Sequence, residues 1–315
     1  MRARISTLLR IAVAAGLTLW LLNQANPADV LAALRGVRWK WIAATLVLVA
    51  IDRALNAYRW LALLQPIGRV PPVGAVMRVF FVSTFIGTFL PGPIGTDAVR
   101  IWGLAEHGVA KSHAAASVVI DRLLGVVSIL VAALAGLALA PRLLDEAWVG
   151  VAFAATAAGS LVALVIVFSR TVDQWVRRLL GRAPAGLQGR LARILDALQA
   201  YRGHQGLLNA VLLASVGVQA LRVAQAWMLG RSLGLDIDVV AYVAFIPVIL
   251  LLMLLPISPS GLGVAQWGFD VTFTRVGVLP ADAFALSVLF LALGTLGNLP
   301  GGVLYAMGKR PTAPR

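Results

Sequence analysis

Arginine and aspartate residues stand inside several apolar stretches of this 315-residue sequence. The clearest cases are Asp97 with Arg100, and the neighbours Asp121 and Arg122. A charge at membrane depth is costly unless it has a partner or faces water, so such residues indicate a functional site. Guanidinium groups donate paired hydrogen bonds to carboxylate and phosphate oxygens. These residue types therefore favour binding of an anion over transfer of a chemical group.

We predict that an anionic head group is bound by arginines, by hydroxyl groups and by the N–H groups of helices that restart after a break. The predicted binding residues are Arg59, Arg78, Thr96, Asp97, Arg100, Asp121, Arg122, Arg222, Ser258, Ser260 and Gly261. A polar network inside the membrane is predicted for Asp52, Arg53, Asn56, Gln219 and Gln266. The alternative interpretation is that neighbouring Asp and Arg residues neutralise one another and join helices. For Arg59 and Arg78, the alternative to ligand contact is that they extend to the cytoplasmic interface of the membrane.

The sequence offers little for a metal, a cofactor or a catalytic group. It has no cysteine, and its three histidines are scattered, so neither thiolate ligands nor a histidine cluster is available. A phosphate-binding Gly-rich loop ending in Lys and Ser or Thr is not found. We therefore predict no catalytic residue, no metal and no cofactor.

The net charge of +14 bears on the partner. The arginines flank apolar segments, and this placement favours the anionic lipids of a membrane surface over nucleic acid. We expect a multi-pass protein of the cell inner (plasma) membrane whose partners are lipids with anionic or isoprenoid head groups. The sequence leaves open whether the protein forms a homo-oligomer.

The composition predicts an all-α polytopic membrane protein, because 60% of the residues are hydrophobic and only 13% are charged. One membrane domain is expected over residues 1–315. Six full transmembrane helices are predicted at about 11–22, 41–64, 112–140, 148–168, 207–229 and 281–307. The segment 169–205 carries seven arginines and leucines at helical spacing, which predicts a cytoplasmic amphipathic linker on the anionic membrane face.

Two apolar stretches are broken by prolines and glycines, at 90–97 and at 255–263. Proline lacks the N–H donor of a helix, so helical structure should stop and restart there. Non-helical backbone is not tolerated in lipid and must be packed in protein or line a wet cavity. Paired breaks in two halves of a chain indicate a transport site. Taken singly, each break is also compatible with an ordinary interfacial loop.

The order of elements around the breaks predicts an internal repeat, with one copy at 41–140 and the other at 207–308. Chance similarity of two Leu-rich segments is the alternative. Cytoplasmic loops should carry the arginine excess. That rule is met if each broken arm dips into the membrane and returns on the same side. We therefore predict two re-entrant helical hairpins in an inverted repeat, with both termini cytoplasmic.

The motifs resemble those of a flippase-like family related to the transmembrane region of lysylphosphatidylglycerol synthases. The matching residues are Leu90-Pro91, Gly95-Thr96-Asp97 with Arg100, Ala116-Ser117-Val118, Asp121-Arg122 with Gly125, and Pro256 to Gly263. Thr96 and Ser260 replace glycines of the family pattern, and Ala265-Gln266 stands where Arg-Glu is usual. The resemblance covers about residues 40–308.

The resemblance implies a lipid flippase or transporter. Its substrate would be an anionic, aminoacylated or polyprenyl/hopanoid-type lipid moved between the leaflets of the membrane. The alternative function is a membrane enzyme or accessory subunit that acts on a lipid-phosphate substrate.

Overall fold

The computed structural model describes residues 19–20, 22–23, 26–68, 70–89, 93–139, 147–169, 178, 185–254 and 261–308. Its helices are α1 (Pro27–Arg35), α2 (Trp39–Leu63), α3 (Val73–Phe89), α4 (Pro93–Glu106), α5 (Lys111–Leu139), α6 (Ala147–Phe168), α7 (Ala185–Gln199), α8 (Gln205–Ser232), α9 (Val239–Met253), α10 (Val264–Phe273), α11 (Pro280–Leu296) and α12 (Leu299–Ala306). The described part of the chain is therefore built from helices, as the composition predicts.

Among the described residues, four helices are long and apolar enough to cross a membrane: α2, α5, α8 and the combined segment Pro280–Ala306. They coincide with four of the six predicted spans. The predicted span at 148–168 forms the 22-residue helix α6. The predicted first span, 11–22, lies almost entirely outside the described residues. The protein is thus a helical membrane protein, and the full count of six crossings stays a prediction.

The two arms that lead into the predicted breaks are shorter. α3 has 17 residues and α9 has 15, which correspond to about 26 Å and about 22 Å of helix. The hydrocarbon core of a bilayer is about 30 Å thick. Each arm packs against its return helix, α3 against α4 and α9 against α10. This geometry is compatible with re-entrant hairpins, whose tips at 90–92 and 255–260 lie outside the described residues.

Small residues let the first hairpin close. Gly87 of α3 lies directly against the Thr96 side chain of α4, with no room for a Cβ. A Cβ on Gly103 would lie 2.8 Å from the Val79 side chain. Because glycine presents no side chain, the two helices approach closely enough to bring Thr96 beside α3.

The second hairpin forms the centre of the core. Helix α9 is apolar on all sides and buried over most of its length, as expected for a helix surrounded by protein. Phe245 of α9 packs edge-on against Phe273 of α10, with ring centroids 5.2 Å apart. Phe269 stacks on Phe273. The aromatic contacts hold α9 and α10 together beside α5.

The last predicted span is not one continuous helix. It stops at Leu296 and restarts at Leu299, because Pro300 at the start of α12 cannot donate a helix hydrogen bond. Helix α12 then packs against α3, where Gly301 meets the Phe81 backbone without space for a Cβ. The interruption lies beside the cavities described below.

Part of the predicted amphipathic linker forms the helix α7, and residues 170–177 and 179–184 lie outside the described residues. Leu198 and the following Tyr201 are buried against α5 residues such as Ile120. Tyr201 donates a 2.7 Å hydrogen bond to the carbonyl of Leu63, the last residue of α2. The prediction that the apolar face lies on the membrane is therefore incomplete, because part of that face packs on protein.

Candidate functional site

Two adjoining cavities lie inside the helical assembly. Cavity A has a volume of about 340 Å³ and cavity B of about 280 Å³. They share a wall, since the same four residues line both: Arg53, Thr84, Thr96 and Arg222. The first hairpin contributes Thr96, and the second contributes Met253 to cavity A and Leu254 to cavity B. The first broken segment and the arm that leads into the second thus reach the same polar interior.

Cavity A contains a carboxylate held between two guanidinium groups. Asp52 of α2 is 2% exposed, and its Oδ2 accepts a 2.7 Å hydrogen bond from Arg53 Nη1. Its Oδ1 lies 3.5 Å from Arg222 Nε on α8. Arg53 Nη2 also donates to the Gly294 carbonyl at 2.9 Å, close to the interruption after α11. The cluster therefore joins α2, α8 and α11.

Cavity B contains a second carboxylate between two guanidinium groups. Arg59 Nη2 of α2 lies 2.6 Å from Asp121 Oδ1, and Arg100 Nη1 of α4 lies 3.1 Å from Asp121 Oδ2. The Arg100 guanidinium also lies over the rings of Trp60 and Phe80, at 5.1 and 4.7 Å from their centroids. Such contacts attract a cation to the ring face. Arg100 is therefore held in a fixed position at the cavity wall.

A third ion pair ties the first hairpin to α5. Arg122 donates to Asp97 through Nε, 3.1 Å from Oδ2, and through Nη2, 2.9 Å from Oδ1. The Arg122 side chain is 41% exposed and lines cavity B. This paired geometry orients Asp97 and fixes the Arg122 guanidinium beside cavity B.

The sequence neighbours are not the main ion-pair partners here. Asp97 pairs with Arg122 rather than Arg100, and Asp121 pairs with Arg100 and Arg59 rather than Arg122. Asp121 and Arg122 are adjacent on α5 and point in different directions, so each finds its partner on a facing helix. The interpretation that neighbours neutralise one another holds for Asp52 and Arg53.

The charges around the cavities do not balance among the described residues. Five arginines line cavity B, and they are accompanied by three aspartates, Asp52, Asp97 and Asp121. This is an excess of two positive charges. The Nε atoms of Arg53, Arg59 and Arg100 are buried and have no hydrogen-bond partner within the described residues. Buried cations with free donors favour an anion as the missing partner.

Tyr201, which follows α7 in the predicted linker, lies near Asp121 of cavity B. Burial raises the pKa of the Tyr201 phenol above its usual value, and the nearby charge of Asp121 raises it further. The phenol is therefore protonated at neutral pH and able to donate to Leu63. It holds the end of α2 about one turn beyond Arg59.

Most predicted site residues meet at the cavities. Among the binding residues these are Arg59, Thr96, Asp97, Arg100, Asp121, Arg122 and Arg222. Among the network residues these are Asp52, Arg53, Asn56 and Gln219. Arg59 is 4% exposed, so it does not extend to the interface. Gln219 Nε2 donates to Ser128 Oγ at 3.0 Å, which joins α8 to α5.

Three predicted residues have local roles outside the cavity walls. Arg78 is exposed and donates to the Leu304 carbonyl at 3.1 Å, near the end of α12. Gly261 adopts a positive φ of 75° and packs against Met253. Gln266 Oε1 accepts from the Gly263 N–H at 2.5 Å and so caps α10. Ser258 and Ser260 lie outside the described residues.

Three neutral polar residues of cavity A were not among the predicted site residues. Gln225 is 7% exposed and lines cavity A, as do Thr88 and Asn298. The signal for Gln225 is its spacing of three and six residues from Arg222 and Gln219, which places all three near one face of α8. The signal for Asn298 is the nearby Pro300, which ends the preceding helix.

A helical membrane protein with an arginine-rich polar interior is the class that this fold and site define. The family model for the lysylphosphatidylglycerol synthase TM region matches residues 7–301, and the chain belongs to that family. The resemblance seen in the motifs is thus confirmed. A UPF0104 membrane protein of Methanothermobacter thermautotrophicus is 24% identical over 310 residues, which cover 90% of this chain and 88% of that protein.

Proposed function

We propose that the protein is a flippase or transporter that moves a lipid with an anionic head group between the leaflets of the plasma membrane. The observation that supports this function is the excess of arginines over aspartates around two joined cavities. A head group carrying one negative charge would halve this excess, and one carrying two would cancel it. The proposed class includes acyl, polyprenyl and hopanoid-type lipids, because the charged groups of the cavities would contact the head group and not the tail.

The cavities supply what an anionic head group needs on its way across a membrane. A charge in hydrocarbon is costly, and guanidinium groups and water lower that cost. The apolar tail would stay in lipid while the head group passes the arginines. We propose that the protein acts as a carrier and does not alter the lipid chemically.

A reconstituted transfer assay tests this function. Purified protein in liposomes is expected to move a fluorescent phosphatidylglycerol faster than protein-free liposomes, and faster than a cationic lysyl derivative. Arg222→Gln removes the guanidinium shared by both cavities and should slow transfer about tenfold, as the loss of a charge-assisted hydrogen bond does. Arg231→Gln is the matched control on α8, because Arg231 pairs with the exposed Asp236 and should leave the rate unchanged.

Two results of that assay would contradict the proposal. One is a rate no higher than that of protein-free liposomes. The other is a changed lipid mass after incubation, which would instead support a membrane enzyme acting on a lipid phosphate. Unchanged lipid masses with accelerated transfer would support a carrier.

We further propose that both broken arms are re-entrant and that both termini are cytoplasmic. Support comes from the short arms and from the presence of both hairpins at the same cavities. The chain has no cysteine, so single-cysteine variants can be labelled without background. Val70→Cys and Lys111→Cys flank the first hairpin and should react with an impermeant maleimide from the same side. Reaction from opposite sides would exclude re-entry.

A further inference from the structure

Cavity A carries neutral polar groups that have no partner within the described chain. Gln225 is only 7% exposed, and its Nε2 has no hydrogen-bond partner among the described residues. The Oδ1 of Asn298 is buried and also has no partner. Buried polar atoms are nearly always hydrogen-bonded, and leaving one unpaired is costly. Both side chains line cavity A, so a ligand there could supply the partners.

The orientation of the Asn298 amide follows from its neighbours. Thr88 donates its hydroxyl hydrogen to the Thr84 carbonyl at 3.1 Å. The Thr88 oxygen must therefore accept from Asn298, whose Nδ2 lies 2.9 Å away. The amino end of the amide is thus turned to Thr88 and its oxygen is left as an acceptor. Cavity A consequently offers an acceptor on the side of Asn298 and a donor on the side of Gln225.

These groups lie beside the charges that would hold a phosphate. Gln225 follows Arg222 by three residues on α8, so their side chains lie on neighbouring positions of one helix face. Arg222 and Arg53 line the same cavity. A phosphate bound by the guanidinium groups would place the rest of its head group within the space bounded by Gln225 and Asn298.

The donor and the acceptor distinguish between two kinds of head group. A hydroxyl group both donates and accepts, so hydroxyls can satisfy Asn298 and Gln225 together. An ammonium group only donates, so it would leave Gln225 Nε2 unpaired. It would also lie near Arg53 and Arg222, where like charges repel.

We propose that cavity A recognises a polyol phosphate, meaning a phosphate that carries a neutral group with hydroxyls and no ammonium, and that Gln225 is a specificity-determining residue. The inference rests on the proposed function in that the same cavities hold the head group. It narrows the substrate class from any anionic lipid to anionic lipids with a hydroxyl-bearing head.

Binding of two short-chain lipids to the purified full-length protein tests this inference without requiring transfer. Dioctanoyl phosphatidylglycerol and dioctanoyl phosphatidylethanol carry the same charge and the same tails, but only the first has free hydroxyls. The protein should bind phosphatidylglycerol about tenfold more tightly, the effect of one or two hydrogen bonds between neutral groups. Equal affinities for the two lipids would overturn the inference.

Gln225→Met removes the amide at nearly constant length. It should lower the affinity for phosphatidylglycerol toward that for phosphatidylethanol and leave the affinity for phosphatidylethanol unchanged. Gln205→Met is the control, because Gln205 is exposed at the start of α8. If Gln225→Met does not fold, Asn298→Ala tests the other wall and should also reduce the preference. If both single variants fold and both keep the full preference for phosphatidylglycerol, the assignment of cavity A as the polyol phosphate site is wrong.

The outcomes separate this inference from the proposed function. A preference for phosphatidylglycerol in binding without accelerated transfer would support the polyol phosphate site and overturn the flippase. Equal binding and equal transfer of the two lipids would support a flippase and overturn the polyol phosphate site.

Discussion

Arg59 and Asp121 form a buried ion pair across α2 and α5, with 2.6 Å between Nη2 and Oδ1. The two side chains are 5% and 11% exposed, so the pair is screened little by water. Because Asp121 also binds Arg100, one carboxylate compensates two guanidinium groups from two helices. The structure of cavity B therefore depends on this single acidic group.

Asp121→Asn should destabilise the protein strongly. The amide cannot compensate the two arginines, and removing one partner of a buried ion pair costs about 3–5 kcal/mol. We expect a clear drop in the melting temperature in detergent, followed by intrinsic tryptophan fluorescence. Asp236→Asn is the control: its side chain is 95% exposed, and no measurable change is expected. Equal melting temperatures for Asp121→Asn and wild type would show that the pair contributes nothing to stability.

Arg122→Ala should slow transfer of an anionic lipid about tenfold, as expected for the loss of a charge-assisted hydrogen bond to the head group. Arg122 lines cavity B and is half-exposed, so the change removes a cation without opening the core. The rate is measured in liposomes with labelled phosphatidylglycerol. Arg178→Ala, at an exposed position, should leave the rate unchanged. Identical rates for wild type and Arg122→Ala would remove Arg122 from the site.

Gly301→Ala should loosen the contact between α12 and α3. A Cβ at Gly301 would overlap the Phe81 backbone, which cannot move without shifting α3. Inserting atoms into a packed contact costs about 1–3 kcal/mol. Gly74→Ala adds the same methyl group to α3 where no atom lies within 4 Å, and should be neutral or slightly stabilising. The comparison of the two melting temperatures checks the prediction, which fails if both variants behave alike.

Tyr201→Phe should destabilise the protein by about 1–3 kcal/mol at pH 8, since the Leu63 carbonyl loses its donor. The pKa of Tyr201 is raised in the folded state, whereas an unfolded tyrosine titrates at its ordinary value of 10.0. Above that value the unfolded state releases the proton and the folded state keeps it, so stability falls as the pH rises. The difference between wild type and Tyr201→Phe should therefore shrink between pH 8 and pH 11. A difference that stays constant would show that Tyr201 does not contribute to alkaline sensitivity.

The positions of the long helices follow from the sequence because apolar runs report burial in lipid directly. The segments predicted at 41–64, 112–140 and 207–229 form α2, α5 and α8. The interruption between α11 and α12 was missed, although Asn298, Pro300 and three glycines mark it. Those residues stand inside an apolar run, where the hydropathy signal outweighs the breaker signal.

The sequence predicts which types of residue form the site, but it does not predict which residues pair with one another. Arginines and aspartates in apolar segments are conspicuous, and most of those predicted do line the cavities. The contact between Asp52 and Arg222 joins helices far apart in the chain, so spacing cannot reveal it. Gln225 and Asn298 were missed for a different reason: the sequence does not show that their amide groups are buried without hydrogen-bond partners.

The wide sequence separation of the ion pairs implies an order of assembly during biosynthesis. Asp52 and Arg53 are neighbours and can compensate each other as soon as α2 enters the membrane. Arg59 must wait for Asp121, 62 residues later in translation. Arg222 emerges only after α5 and α6 have been made. Arg59 of α2 therefore has no carboxylate partner in the bilayer until α5 follows, and the arrival of α5 removes the cost of that unpaired charge.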